Sequence, residues 1–510
     1  MMKLLHRYNF LFASAVYCIL FFLLLPLHRF VFDVDGVGYS LVAQHLAEGN
    51  FERAINGFWS PLHSWIVAPF IKTGLPVQTI FFCSNAVISV VILYLLKQFS
   101  VRLSLTPSQI TVLLLASTVL LIQFSFYELA ADILLLPFII SWLLLVMRAD
   151  FCTNYKVQLG CGLLIGFGYL AKTYALPFLG TIHILLLLRH YYITGQNITR
   201  QLFLFLLMLG IVCVPWILII SNKYGYFTIG NASRLNLSWF LRGMSDEQSF
   251  FHAPTYNDSP GWWEDPSYYK GEVVNMFSSG TYFLKQVKVF LHNGIIFSKT
   301  FFQISIVAPL VIIGFLATAV RKKEEPFQKL SIFLVLFPIG YLLTFVDGRY
   351  LWIYNVLLLP LGLVLLDRLM NFYQLKSSTK QFFLAMYTVS FLVFPVYTLQ
   401  QNATNPQWKQ IHDIANWFKQ NSITQNFTSN RKSSEAQVIA YKSGTRHFQL
   451  SNVNVTPAEI ASAMQQHTIQ HLLYFYTLQK QKEEVVTTML QYNYKVAEIQ
   501  PGVLLFSQNK

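Results

Sequence analysis

The strongest constraint on this chain is a recurrence. Apolar runs of membrane-spanning length follow one another, separated by short polar connections, through the first four hundred residues. A helix crossing the hydrocarbon core of a bilayer needs about 17–25 such residues. Runs of that order lie near 8–28, 77–97, 108–126, 131–148, 157–171, 173–189, 201–221, 296–320, 330–346, 350–367 and 381–399, which predicts about eleven spans. Of 510 residues, 54% are hydrophobic and 12% charged. A soluble domain carries roughly 25% charged residues, so lipid must solvate much of this chain. The prediction is a polytopic α-helical membrane protein.

The net charge of +14 does not point to nucleic acid, because the basic residues form short clusters between apolar runs and no single basic face. Lys3 and Arg7, Lys97 and Arg102, Arg148 and Lys156, Arg189 and Arg200, Arg321 to Lys323 with Lys329, and Arg368 with Lys376 and Lys380 fall on one alternating set of connections. The positive-inside rule makes that set cytoplasmic. The N-terminus is then cytoplasmic, and the loops near 29–60 and 222–295 and everything after residue 400 lie outside. The first apolar run is too long for a signal-peptide core and lacks a small-x-small cleavage site, so it reads as a retained span. The five cysteines lie in or beside apolar runs without metal-ligand spacing, which gives no disulfide framework.

Two domains are expected, residues 1–399 in the membrane and 400–510 as a small soluble α/β domain outside it. In the second, Trp408 to Gln420 has the period of an amphipathic helix, and Thr456-Pro457-Ala458-Glu459 is a capping box with proline at the first helical position. Strands are predicted at Gln437 to Tyr441, His471 to Tyr476, Tyr494 to Ile499 and Val503 to Phe506.

The chemistry is expected in the first outer loop, at Phe32-Asp33-Val34-Asp35-Gly36-Val37-Gly38-Tyr39. Carboxylates this close to a membrane span carry a function by default. The plainer reading is that both acids cap the helix that follows. That helix, ending at Gly49, has an apolar stripe suited to lying on the membrane surface. Glu128 and Asp132 form a second acidic pair, on one face if their turn is helical; alternatively Glu128 is solvated and Asp132 caps a helix. Lys172 and Arg349 break the positive-inside pattern. They either snorkel to lipid phosphate or share a pocket that holds an anionic phosphate. Trp262 and Trp263, in the long loop, form an interfacial belt or line a sugar site. Glycines 160, 162, 166 and 168 read as helix-packing positions.

These residues resemble the integral-membrane glycosyltransferases of the GT-C superfamily, nearest the protein O-mannosyltransferases and lipid A aminoarabinose transferases. In that family the first outer loop carries Asp-Glu-x-x-Tyr, then a surface helix ending in glycine, then Pro-Pro-Leu. Asp35, Tyr39, Gly49 and Pro61-Leu62 stand here in the matching order, and Arg349-Tyr350 followed by Leu357 to Leu361 looks like the family's Arg-Tyr and proline-containing helix. Gly36 replaces the usual Glu, Ser60 the first proline, and Phe58-Trp59 stand where some members carry an acid and a base, so no metal site is predicted.

The resemblance implies inverting transfer of a sugar from a polyprenyl-phosphate donor to a lipid, glycan or protein acceptor, in a bacterial inner membrane. It implies Asp35 as base with Asp33 in support, and Lys172, Arg349 and Tyr350 on the donor phosphate. Tyr39, Glu128, Asp132, His63, Trp262 and Trp263 are expected on substrate. A transporter or flippase would instead need polar groups or broken helices near the bilayer midplane and an internal repeat. A polysaccharide polymerase or ligase would lack the Asp35–Tyr39–Gly49 spacing.

Overall fold

The computed structural model describes residues 7–127, 129, 131–242, 249–269, 271–322, 325–431, 434–452 and 454–509. Glu128 lies outside them. Among the described residues, eight helical stretches are long and apolar enough to cross a membrane: Asn9–His28, Val77–Arg102, Pro107–Tyr127, Ala175–Thr194, Thr199–Tyr224, Glu325–Leu343, Gly348–Phe372 and Ser377–Gln420. The chain is an integral membrane protein. Every predicted run falls on helix, interrupted briefly at 337–338 in the run 330–346 and at 391–392 in the run 381–399, with two larger qualifications. Asp132–Val146 and Tyr155–Ala171 are short, at 15 and 17 residues. The run at 296–320 is broken, because Gly280–Ile304 and Ala308–Arg321 meet at 100°. Ser305 is extended there, with φ −167° and ψ 145°, and its hydroxyl bonds that of Ser390 at 2.7 Å. Pro309 marks the restart, since proline fits a first helical turn and disfavours helix just before it.

Two of the four glycines expected to pack helices, Gly162 and Gly166, meet helix Thr199–Tyr224. A Cβ on Gly162 would stand 2.5 Å from the Phe205 carbonyl oxygen, and one on Gly166 would stand 2.7 Å from Val212. Only a bare backbone lets the two helices approach this closely.

The first outer loop forms helix Val34–Glu48, ended by Gly49 in the left-handed region at φ 80°. It does not lie free on a surface. Gly36 to Ala43 are buried, because helix Ser434–Ser443, the turn Trp262–Glu264 and helix Pro61–Val67 pack around it. Its apolar stripe is covered by protein.

The C-terminal sheet has the order β1-β3-β2-β4-β6-β5. Its strands are β1 (Phe251–His252), β2 (Asn426–Ser429), β3 (Arg446–Leu450), β4 (His471–Phe475), β5 (Tyr494–Gln500) and β6 (Val503–Gln508). β2 runs parallel to β3 and β4, whereas β6 is antiparallel to β4 and β5. The edge strand β1 comes from the long loop at 222–295 and pairs with β3, so sheet and membrane part share an element.

Three predicted strands fall on β4, β5 and β6, and the capping box at Thr456 and Glu459 forms. The fourth does not: Gln437 to Tyr441 lies in helix Ser434–Ser443. A five-residue apolar run cannot tell a buried helix from a strand. This one is buried on both sides, between the sheet and Val34–Glu48, and Tyr441 stacks on Phe32 at 5.5 Å.

Candidate active site

Asp33 and Asp35 have different places. Asp33 is the N-cap of Val34–Glu48, its carboxylate accepting from the backbone N–H of Asp35 and Gly36, both at 3.2 Å, and from that of Leu129 at 3.3 Å. Capping uses the oxygens that the first-turn donors lack within the helix. Burial, reinforced by the Asp35 charge and opposed by Arg349 and these N–H donors, raises its pKa to about 6. Asp35, in the first helical turn, accepts from the Arg349 Nη2 at 2.7 Å.

Arg349 also lies 3.7 Å, through Nε, from the Asp132 carboxylate, and Asp132 is paired on its other oxygen with the Lys172 ammonium. Two acids and two cations thus alternate in one chain of contacts. Each stands at a helix end: Asp132 opens Asp132–Val146, Lys172 closes Tyr155–Ala171 and Arg349 precedes Trp352–Phe372. Burial, opposed by Asp132 and aided by the Arg349 charge, holds the Lys172 pKa below the ordinary ammonium value.

An aromatic wall surrounds the four. The Lys172 Nζ stands 3.9 Å from the ring centre of Tyr350, which stacks on Tyr341 at 4.5 Å, and Tyr341 stacks on Tyr174 at 3.8 Å. Opposite, Tyr39 meets Trp59 at 5.2 Å, and the Trp59 Nε1 donates to the Trp263 carbonyl at 3.1 Å. Together they enclose a cavity of about 360 Å³ reached by Asp35, Tyr39, Asp132, Lys172, Trp263, Arg349 and Tyr350.

His63 and Trp262 are not part of it. His63 is buried against Phe81, which pushes its pKa down to about 3, and Trp262 faces the sheet, donating to Gln449 at 2.5 Å. Trp59 and Ser60, which the sequence marks only as departures from the family pattern, also line the cavity, as do Tyr174 and Tyr341, which have no signal beyond being aromatic residues near helix ends.

The long loop is tied down by charge. Glu264, 2% exposed, accepts from the Arg53 Nε at 2.8 Å and is bonded to the His45 Nε2 at 3.0 Å. Its neighbour Asp265 accepts from the Lys223 Nζ at 3.0 Å and the Tyr224 hydroxyl at 2.8 Å. Trp263, which lines the cavity, immediately precedes these two anchors. Among the described residues, no group of three or more His, Cys, Asp and Glu side chains is placed to hold a metal ion.

No family model and no curated protein sequence matches the chain. Solved structures do. ArnT from Cupriavidus metallidurans bound to undecaprenyl phosphate is 11% identical with a TM-score of 0.56, the match covering 98% of this chain and 97% of that one. Its apo form is 13% identical, with a TM-score of 0.53 over 97% and 98%. The apo oligosaccharyltransferase of Archaeoglobus fulgidus is 10% identical, with a TM-score of 0.50 over 92% of this chain and 69% of that one. Both proteins are GT-C members. The chain has the GT-C membrane-protein fold, with a small C-terminal sheet domain.

Proposed function

We propose that this protein is an inverting glycosyltransferase that moves a sugar from a polyprenyl-phosphate donor to an acceptor hydroxyl on the outer face of the membrane. The observation that carries this reading is the alternation of Asp35, Arg349, Asp132 and Lys172 around one aromatic cavity. Membrane localisation of the donor's tail explains why a polar reaction is run by a chain made mostly of spans. The charge pattern of the connections supports a cavity on the outer side, and the membrane we propose is a bacterial inner membrane.

In the transfer, the acceptor oxygen bonds the anomeric carbon from the side opposite the phosphate. Asp35 takes the hydroxyl proton, and the carbon–oxygen bond to phosphate breaks with its electron pair moving to the phosphate oxygen. The departing phosphate gains negative charge, which Arg349 and Lys172 meet. Without substrate each cation is held by an acid, so both are fixed in place before the phosphate arrives. Arginine's fork keeps one N–H on Asp35 while offering others to phosphate, and Tyr350, under Lys172, aims the ammonium. That the four charged groups stand at helix ends favours this reading over a transporter, which requires them near midspan.

The test is to incubate the purified protein with a panel of radiolabelled polyprenyl-phosphate sugars, beside Asp35→Asn. Sugar release that disappears in the variant supports the reading. Substrate translocation without turnover overturns it.

A further inference from the structure

The Asp35–Arg349 pair has two open sides. Behind it lies a second cavity of about 310 Å³, which shares Asp35, Phe345 and Arg349 with the first. Its far wall is the C-terminal domain, contributed by Gln407 and Trp408 on one helix and Glu435 on another. Past Gln407 and Glu435 a wider groove of about 690 Å³ opens along the domain's surface.

The two cavities differ in charge. The first gathers both cations and an aromatic wall. The second has Asp33, Asp35, Asp347 and Glu435 against Arg349 alone, so a phosphate group is repelled from it while hydroxyls find acceptors. Glu435 is steadied by Arg431 at 3.1 Å and by Gln407. The Trp408 Nε1 is buried and makes no hydrogen bond among the described residues. An indole beside carboxylates offers what a sugar ring needs: an apolar face for its C–H groups, a donor for a ring or hydroxyl oxygen, and acceptors for its hydroxyls.

Resting on the transfer reading above, we infer that the acceptor is a carbohydrate. It reaches Asp35 through this second cavity and is selected by Trp408 and Glu435 of the C-terminal domain. A reaction that joins two substrates requires both at one atom, and Asp35 is a carboxylate that both cavities touch. The donor occupies the cationic side and the acceptor hydroxyl arrives from the acidic side, opposite the leaving phosphate, as inversion demands. The wider groove has room for further sugar units beyond the reacting one.

The test uses the full chain in lipid nanodiscs, with radiolabelled undecaprenyl-phosphate hexoses as donors. Three acceptors are offered: a free disaccharide, a peptide containing serine and threonine, and a diacylglycerol. Label is expected on the disaccharide. Trp408→Ala and Glu435→Gln are expected to raise the KM for the disaccharide about tenfold and to change the KM for the donor less than twofold. If Trp408→Ala does not fold, Trp408→Phe keeps a smaller aromatic face, loses the N–H, and is still expected to raise the acceptor KM. Label on the peptide or the diacylglycerol alone overturns the inference and leaves the transfer standing, as does an unchanged disaccharide KM in both variants. No release of label from any donor overturns the transfer reading itself.

Discussion

Arg349 and Asp35 are 314 positions apart in the chain and 2.7 Å apart in space. Their contact ties the turn before one late helix to the first turn of the first outer helix. Because Arg349 also faces Asp132 at 3.7 Å, one guanidinium serves two carboxylates, and its side chain is only 10% exposed.

Removing that guanidinium should cost both stability and rate. Arg349→Met strands Asp35 without its partner. Breaking a buried pair from one side costs about 3–5 kcal/mol, and the 20% exposure of the Asp35 side chain puts this case at the low end. The double variant Arg349→Met with Asp35→Asn should recover most of the loss in thermal unfolding. Arg349→Lys keeps the charge but loses the fork, and transfer should fall about 100-fold or more, as when one preorganised donor to a developing oxyanion is removed. A lysine variant with wild-type kcat would remove Arg349 from the phosphate site.

Asp33 gives a pH dependence with a definite sign. Its pKa is about 6 in the fold against 3.8 ordinarily, so the folded state favours the proton. The contribution to stability is then full below pH 4 and is lost as pH rises through 6, a difference of about 3 kcal/mol. Asparagine caps helices as well as aspartate and carries no charge. Asp33→Asn should therefore be more stable than the wild type at pH 7.5, with the advantage vanishing near pH 4. Melting temperatures of both proteins in detergent across that range check it; parallel curves would refute the elevated carboxyl.

The sequence made the spans legible because lipid imposes length and composition, and it exposed Asp35, Lys172 and Arg349 because charge beside an apolar run is costly. Pairing was not legible. Lys172 could be assigned to phosphate, but its partner Asp132 lies 40 residues away, and no local spacing encodes that. The resemblance ranked Asp35 above Asp33, but the contacts that set them apart, the Leu129 N–H on one and Arg349 on the other, have no local signal. Gln437 to Tyr441 has an apolar pattern that fits a strand or a helix, and only the covering of both its sides decides. The short strands β2 and β3 carry too little alternation to be seen, and β1 belongs to a loop distant in sequence.

Glu264 should act as the anchor of the long loop. Burial raises its pKa, but hydrogen bonds from His45 and Ser259 and the Arg53 charge outweigh that and hold it below the ordinary 4.5. A depressed carboxyl contributes stability above its unfolded value and loses it as pH falls through the folded one, so the anchor should survive to pH 5. Glu264→Gln should destabilise by about 1.5–3 kcal/mol, the worth of a lost hydrogen bond between charged groups, because Arg53 keeps its Asp258 pair. Limited proteolysis near 250–269 should quicken several-fold. Wild-type cleavage rates would show that Asp265 and the remaining contacts hold the loop without Glu264.

Gly38 links packing to the cavity. It lies within Val34–Glu48, where alanine would ordinarily favour the helix by about 1 kcal/mol. Its Cβ, however, would fall 2.2 Å from the Trp59 ring. The ring must move, and it is both a wall of the cavity and the donor to Trp263. Overpacking of this kind costs about 1–3 kcal/mol, which exceeds the helical gain. Gly38→Ala is therefore expected to lower the melting temperature and to raise the donor KM through the displaced wall. Adding Trp59→Phe, which removes the atoms in conflict, should restore stability more than it restores transfer, because the smaller ring cannot donate to Trp263. If Gly38→Ala alone raises the melting temperature, helix propensity dominates, and Trp59 has room to yield.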